Sequence, residues 1–389
     1  MMALEGLKVL DLTRLLPGPV ATMYLADFGA DVLKVEQPGE GDYSRAYEPL
    51  LRGMGYRFLI VNRNKRSLTL DLKPEAGKQV FRELVAQADV VIEGFRPGVM
   101  ARLGLGYDEL SAINPRLIMC SLSGYGQVGP LAQEPGHDLG YTSIAGIVSL
   151  TGLQDDAPII PGVQVADMGG GMQAVIGILL ALQARERTGR GQYIDTSLFA
   201  AAISMLPADA SNLFGSGEVP LRGETRLTGG WPHYNVYQTA DRRHVAVAAL
   251  EPKFWRNLAS AIGREDLIPR ISDPANWGEI RSALAEVFAT RTLADWMTYL
   301  DGRDTCVTAV NNLDEALAAP HVVENELVLT QQDERLGTYR TLGQPIKLSD
   351  TPGSLRTPAP DLGQHTDEVL TALGYSPERI ARLREQGIV

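Results

Sequence analysis

Four short stretches carry residues able to move protons or bind anions. GHDLGY (136–141) sets His137 beside Asp138, behind Pro135 and at the mouth of an apolar segment with helical spacing. The first N–H groups of a helix lack partners within it and lie at the positive end of its dipole, so an oxyanion is stabilised there. An imidazole at the same place is a candidate base next to such an oxyanion. The ordinary alternative is a histidine in a turn, with Asp138 as the N-cap. VADMGGGM (165–172) puts Asp167 ahead of three glycines and a long apolar run. Asp167 reads equally well as an N-cap acid. The glycines remove every Cβ where the backbone is expected to bend, which lets a ligand approach. ALEPKFW (249–255) places Glu251 before Pro252. It reads as a helix N-terminal acid or as a carboxylate that orients an imidazole. In EGFRPG (93–98), Arg96 follows a strand end. Open α/β sheets bind ligands at such ends, and an arginine there suits a phosphate. A surface arginine is the plain alternative.

Other motifs are decoys. GYGQVG (124–129) matches G-x-G-x-x-G, but Pro130 follows and no helix opens on it, so it reads as a turn. No histidine pair has ligand spacing on a helix, so no metal site is expected. There is no G-x-S-x-G elbow. Cys120 and Cys306 lie in apolar strand-like runs far apart and read as buried free thiols.

The elements that must position these residues follow from periodicity. KVLDL, DVLKVE, SLTLDL, DVVIEG and PRLIMCSLSG are buried-type strands alternating with helical stretches, which predicts an open, Rossmann-like parallel sheet. Residues 169–189 read as a deeply buried helix. GQYIDTSL is a further strand, and LFAAAISML a helix. The sequence divides into a large α/β domain (1–205), a Gly- and Pro-rich linker (206–230), a small α+β domain (231–325) and a C-terminal segment (326–389) returning to the large domain.

With 389 residues, the chain exceeds one ordinary core. A net charge of −11 argues against a nucleic-acid surface. The start MMALEGLKVLDL does not read as a signal peptide. The run AVIGILLAL (174–182) is too short to span a bilayer. Neither a membrane nor nucleic acid is an expected partner, and a cytoplasmic setting fits the free thiols.

Taken together, LDLTRLLPGPVATMYLADFGADVLKVEQPG, KRSLTLDLK, EGFRPGVMARLGLG, GHDLGY, VADMGGG, ERTGRGQYIDTSL and YNVYQTADRRHVAVAALEPKFW resemble the class III CoA-transferase superfamily. Within it, the chain is most similar to the α-methylacyl-CoA racemases of fatty acid metabolism. The resemblance spans nearly the whole sequence. It implies that His137, Asp167 and Glu251 are the acid/base set, with the Asp138 N–H as oxyanion donor. It implies an acyl-CoA substrate held by Gln37, Arg63, Leu70, Asp71, Leu72, Lys73, Gly94, Phe95, Arg96, Met100, Gly136 and Tyr141. No separate cofactor is implied, because CoA belongs to the substrate. An interlocked homodimer is implied, with Glu251 supplied by the partner chain. The expected reaction inverts the α-carbon of a 2-methylacyl-CoA. The alternative is CoA transfer between carboxylic acids through Asp167 as nucleophile. One departure stands out. Racemases of this type carry arginine where this chain has Gln37, leaving Lys34 or Arg63 as substitutes for binding phosphate.

Overall fold

The computed structural model describes residues 1–389, which form two compact units. The first comprises Met1–Ala145, Val163–Met205 and Pro320–Val389, and the second Gly146–Gly162 and Leu206–Ala319. The expected linker 206–230 therefore belongs to the second unit, and part of it is a helix, because LPADASNLFGS carries a proline at its first turn and closes on Gly217. Residues 146–162 also leave the large domain, and the return to it begins at Pro320.

The first unit is built on β1 (Lys8–Asp11), α1 (Pro17–Asp27), β2 (Asp31–Glu36), β3 (Lys65–Thr69), α2 (Glu75–Val85), β4 (Val90–Glu93), β5 (Ile118–Ser123), α3 (Asp138–Ile144), α4 (Val165–Thr188), β6 (Tyr193–Ser197) and α5 (Leu198–Ser204). The six strands form one sheet in the order β3-β2-β1-β4-β5-β6, every pair parallel. This is the open Rossmann-like order. It reverses between β1 and β4, and at such a switch point the strand ends leave a crevice for ligands.

The strands are not wholly apolar, and the exceptions shape that crevice. Asp11 and Lys34 pair across β1 and β2, and both are fully buried. Lys34 Nζ lies 3.1 Å from Asp42 and donates to the Thr13 carbonyl at 2.7 Å. Burial opposes the Lys34 charge, but Asp11, Asp42 and Glu36 outweigh it and raise its pKa. Lys65 bonds Asp11, the Pro19 carbonyl and Asn62, and there burial wins, lowering its pKa to about 8. Asp42 also accepts the N–H of Leu15, a residue held at φ 69°. The loop after β1 is thus pinned on both sides of Arg14.

Helix α4 differs from expectation in two ways. The glycines do not bend the chain; they lie inside the helix, which starts at Val165. Their missing Cβ atoms serve packing. A Cβ on Gly171 would sit 2.6 Å from the Pro17 carbonyl oxygen, and one on Gly170 would sit 2.4 Å from Leu198. Helices α1 and α5 therefore press directly on the α4 backbone. The helix is also not buried all round: Met172, Ile176, Leu179 and Leu180 are exposed along one stripe. At 24 residues it is long and apolar enough to cross a membrane, unlike the shorter run read from sequence, yet its other side is packed in the unit's core.

The second unit holds α6 (Pro207–Ser216), β7 (Tyr234–Gln238), β8 (His244–Ala248), α7 (Pro252–Ala261), α8 (Trp277–Phe288), α9 (Leu293–Leu300) and β9 (Val307–Ala309). Strand β8 is central and antiparallel to both neighbours. Trp255, Leu258, Ile280, Leu284, Phe288 and Trp296 pack in its core. Cys306 is exposed rather than buried, because it precedes the edge strand β9 with φ 52°. Cys120, within β5, is buried. The first unit closes with hairpin β10 (Val328–Asp333) and β11 (Gly337–Leu342) and helices α10 (Thr366–Ala372) and α11 (Pro377–Glu385).

Replacing Lys34 by Met strands Asp42 beside a lost cation in a dry interior. The expected loss of stability is about 3–5 kcal/mol, read from the urea midpoint at unchanged slope.

Candidate active site

Two cavities open at the switch point between β1 and β4. One, of about 310 Å³, is lined by Gln37, Leu70, Asp71, Leu72, Lys73 and Phe95 among others. The second, of about 320 Å³, is lined by Gly94, Phe95, Gly136, His137, Tyr141 and Asp167 among others. Leu12, Thr13, Arg14 and Phe95 belong to both, so the pinned loop after β1 and the turn after β4 form their common wall.

His137 and Asp167 thus face a single space. His137 is the extended residue before α3, with φ −134° and ψ 172°, and is exposed. Asp138 is the first helical residue, so its N–H has no carbonyl one turn back within the helix. Its side chain turns elsewhere: Oδ1 accepts from the N–H groups of Ala166 and Asp167 at 2.8 and 3.0 Å. One carboxylate therefore caps α4 from the start of α3 and ties the backbone beside His137 to that of Asp167.

Asp167 is half-buried and is the third residue of α4. A helix start favours its anion, but burial first and Asp138 second push the other way. His137 and Arg57 oppose them in part, and the pKa rises to about 6. Tyr141 is buried, with its ring against Gly124 and Gly136, where a Cβ would approach it to 2.7 and 2.5 Å. It stands edge-on to Tyr125 at 5.0 Å, and burial pushes its phenol up to about 12. Gly124 opens the GYGQVG loop, which is a turn without a helix, so its glycine makes room for an aromatic ring.

Three residues expected to bind CoA lie elsewhere. Arg63 is buried; its guanidinium bonds Asp27 at 2.6 Å and donates to the Leu342 carbonyl. Arg63 is therefore committed to structure, and the fully buried Lys34 is committed as well. Arg96 and Met100 line a different cavity of about 340 Å³, which shares no residue with the other two. Glu93 accepts the N–H of Phe95 at 2.7 Å, and Phe95 lines the common wall, while the charge of Arg96 still acts on the phenol of Tyr141 in the wall of the second cavity. Glu251 lies in the second unit, exposed, as the extended residue before α7.

Sequence reasoning missed Arg14 and Tyr43. The Arg14 guanidinium donates to Tyr43 Oη at 2.9 Å and lies over the rings of Tyr43 and Phe95. The one available signal was its position just after an apolar strand in a Gly- and Pro-rich turn.

Comparison with known proteins adds the following. The family model described as CoA-transferase family III matches residues 4–366. The chain is 37% identical to the human α-methylacyl-CoA racemase, covering 100% of this chain and 98% of that protein. It is 33% identical to the human succinyl-CoA:glutarate CoA-transferase, covering 99% and 90% respectively. The crystal structure of a CAIB/BAIF family protein from Brucella suis superposes with a TM-score of 0.84 at 33% identity, covering 96% of this chain and 99% of that one.

Asp138→Asn keeps the oxygen that caps α4 and removes the charge that raises Asp167. The Asp167 titration is then expected to move below its wild-type position near pH 6. Carboxyl ¹³C NMR, with Asp167→Asn to assign the signal, reads the shift. An unmoved midpoint would mean that Asp138 does not tune it.

Proposed function

The chain belongs to CoA-transferase family III, and from that premise we propose that it is a racemase or epimerase inverting the α-carbon of 2-methylacyl-CoA thioesters. The observation that carries the reading is the shared cavity: an imidazole and a carboxyl of raised pKa border the same space. Inversion needs one group to remove a proton from one face and another to deliver a proton to the opposite face. Neutral His137 takes the α-proton and becomes imidazolium. The electron pair moves onto the thioester oxygen, which accepts the Asp138 N–H at the start of α3. Protonated Asp167 then donates to the opposite face of the carbon. A pKa of about 6 leaves enough of the acid protonated near neutral pH for this, whereas an ordinary aspartate is almost fully ionised. One well-placed oxyanion donor contributes roughly 3 kcal/mol of transition-state stabilisation.

The substrate brings its own CoA, so no other cofactor is part of this reading. We also propose an interlocked homodimer in which Glu251 of one protomer orients His137 of its partner. The exposed apolar stripe on α4 supports an assembly, since Met172, Ile176, Leu179 and Leu180 are left facing solvent in the single chain.

CoA-transferases among the relatives give the second reading its weight. There Asp167 attacks an acyl-CoA carbonyl as a nucleophile and must be ionised, which a raised pKa disfavours.

Incubation with a 2-methylacyl-CoA in D₂O separates the two. Deuterium should enter the α-position, and His137→Ala or Asp167→Asn should each slow that exchange by roughly 10²–10⁴-fold. Absence of exchange alongside CoA transfer to an acceptor acid, with hydroxylamine trapping at Asp167, would establish the transferase instead. Sedimentation equilibrium checks the assembly. A dimer that Leu180→Glu weakens is expected, and a wild-type monomer at micromolar concentration would contradict it.

A further inference from the structure

Arg14 is a cation without an anion. Its neighbours are fixed: the Thr13 carbonyl by Lys34, and the Leu15 N–H by Asp42. Its guanidinium is bracketed by the Tyr43 and Phe95 rings and spends one N–H on Tyr43 Oη. No carboxylate pairs with it, although Glu36 and Asp42 lie nearby in the wall of the 310 Å³ cavity, because Arg45 and Lys34 already hold them. In a chain of net charge −11, an ordered and unpaired arginine at a cavity wall is a prepared anion site.

The place of Arg14 says which anion. It borders both cavities, with Lys73 in the wall of one and His137 and Asp167 in the wall of the other. A CoA thioester has its diphosphate between nucleotide and pantetheine. With its thioester at His137 and its nucleotide in the other cavity, such a molecule has its diphosphate between the two, and Arg14 is the cation that both cavities share. Gln37, in the wall of the first cavity, brings no charge, and Lys34 and Arg63 are locked in buried ion pairs. Resting on the thioester reading above, we infer that Arg14, held by Tyr43 and Phe95, binds the CoA diphosphate and supplies the cation that Gln37 lacks.

The test is equilibrium binding of CoA, 3′-dephospho-CoA and pantetheine to wild type and Arg14→Met by titration calorimetry. Arg14→Met should weaken CoA and dephospho-CoA alike by roughly 10- to 100-fold, the usual worth of a charged hydrogen-bonded contact, and leave pantetheine unchanged. Unchanged pantetheine affinity also shows that the variant is folded. Should it fail to fold, Arg14→Gln keeps the stem and a polar end, and the same loss is expected. Equal affinity for CoA in wild type and variant overturns the assignment, while the racemase reading stands. A loss for CoA but not dephospho-CoA places Arg14 on the 3′-phosphate and overturns it also. So does a loss confined to an acyl-CoA bearing a free carboxylate. Failure of wild type to bind CoA overturns both this assignment and the reading it rests on.

Discussion

A buried lysine holds the site together. Lys34 sits inside a parallel sheet, where an ammonium is stable only if anions and carbonyls replace its water. It finds Asp11 across the strand pair, Asp42 from the following segment and the carbonyl of Thr13. These partners come from two stretches of chain on either side of its own strand, the end of β1 with the loop after it and the segment around Asp42, so satisfying one charge fixes both against β2. The strained backbone at Leu15 persists because Asp42 accepts its N–H. The loop after β1 is therefore not a free loop. It is a rigid wall shared by two cavities, and Arg14 projects from it.

The second constraint is close helix packing. Gly170 and Gly171 let α1 and α5 reach the backbone of α4, which fixes the helix bearing Asp167. Asp138 then joins the start of α4 to the start of α3. His137 and Asp167 come from different segments of the chain, yet one carboxylate links the backbones at the two helix starts. Both devices hold His137 and Asp167 on rigid elements, as a site that depends on precise placement requires.

The sheet was legible because each strand is a short apolar run flanked by turn residues and helical periods. The parallel order follows from β-α-β alternation. His137, Asp167, Gly94, Gly136, Tyr141 and the 70–73 stretch were legible through motif resemblance, and they line the two cavities. The misreadings share a cause: a charge or a glycine does not announce its partner. Arg63 reads as a phosphate ligand until Asp27 and the Leu342 carbonyl are seen beside it. Three glycines suggest a ligand path, and their Cα atoms face helices instead. Arg14 lay in a turn with no periodic pattern, and its importance depends on contacts to residues 34, 42, 43 and 95.

The ion pair of Arg63 with Asp27 has a consequence for the order of assembly. Both residues precede the second unit in sequence, but further bonds of theirs reach Leu342 and Gln344, while Asn64 reaches Ser354, Ser67 reaches His365 and Asp71 reaches Ile388. Polar groups at this edge of the α/β layer thus have mates more than two hundred and fifty residues further along the chain. On these contacts, that edge of the layer closes only when the segment 342–388 joins it, after the intervening unit in chain order.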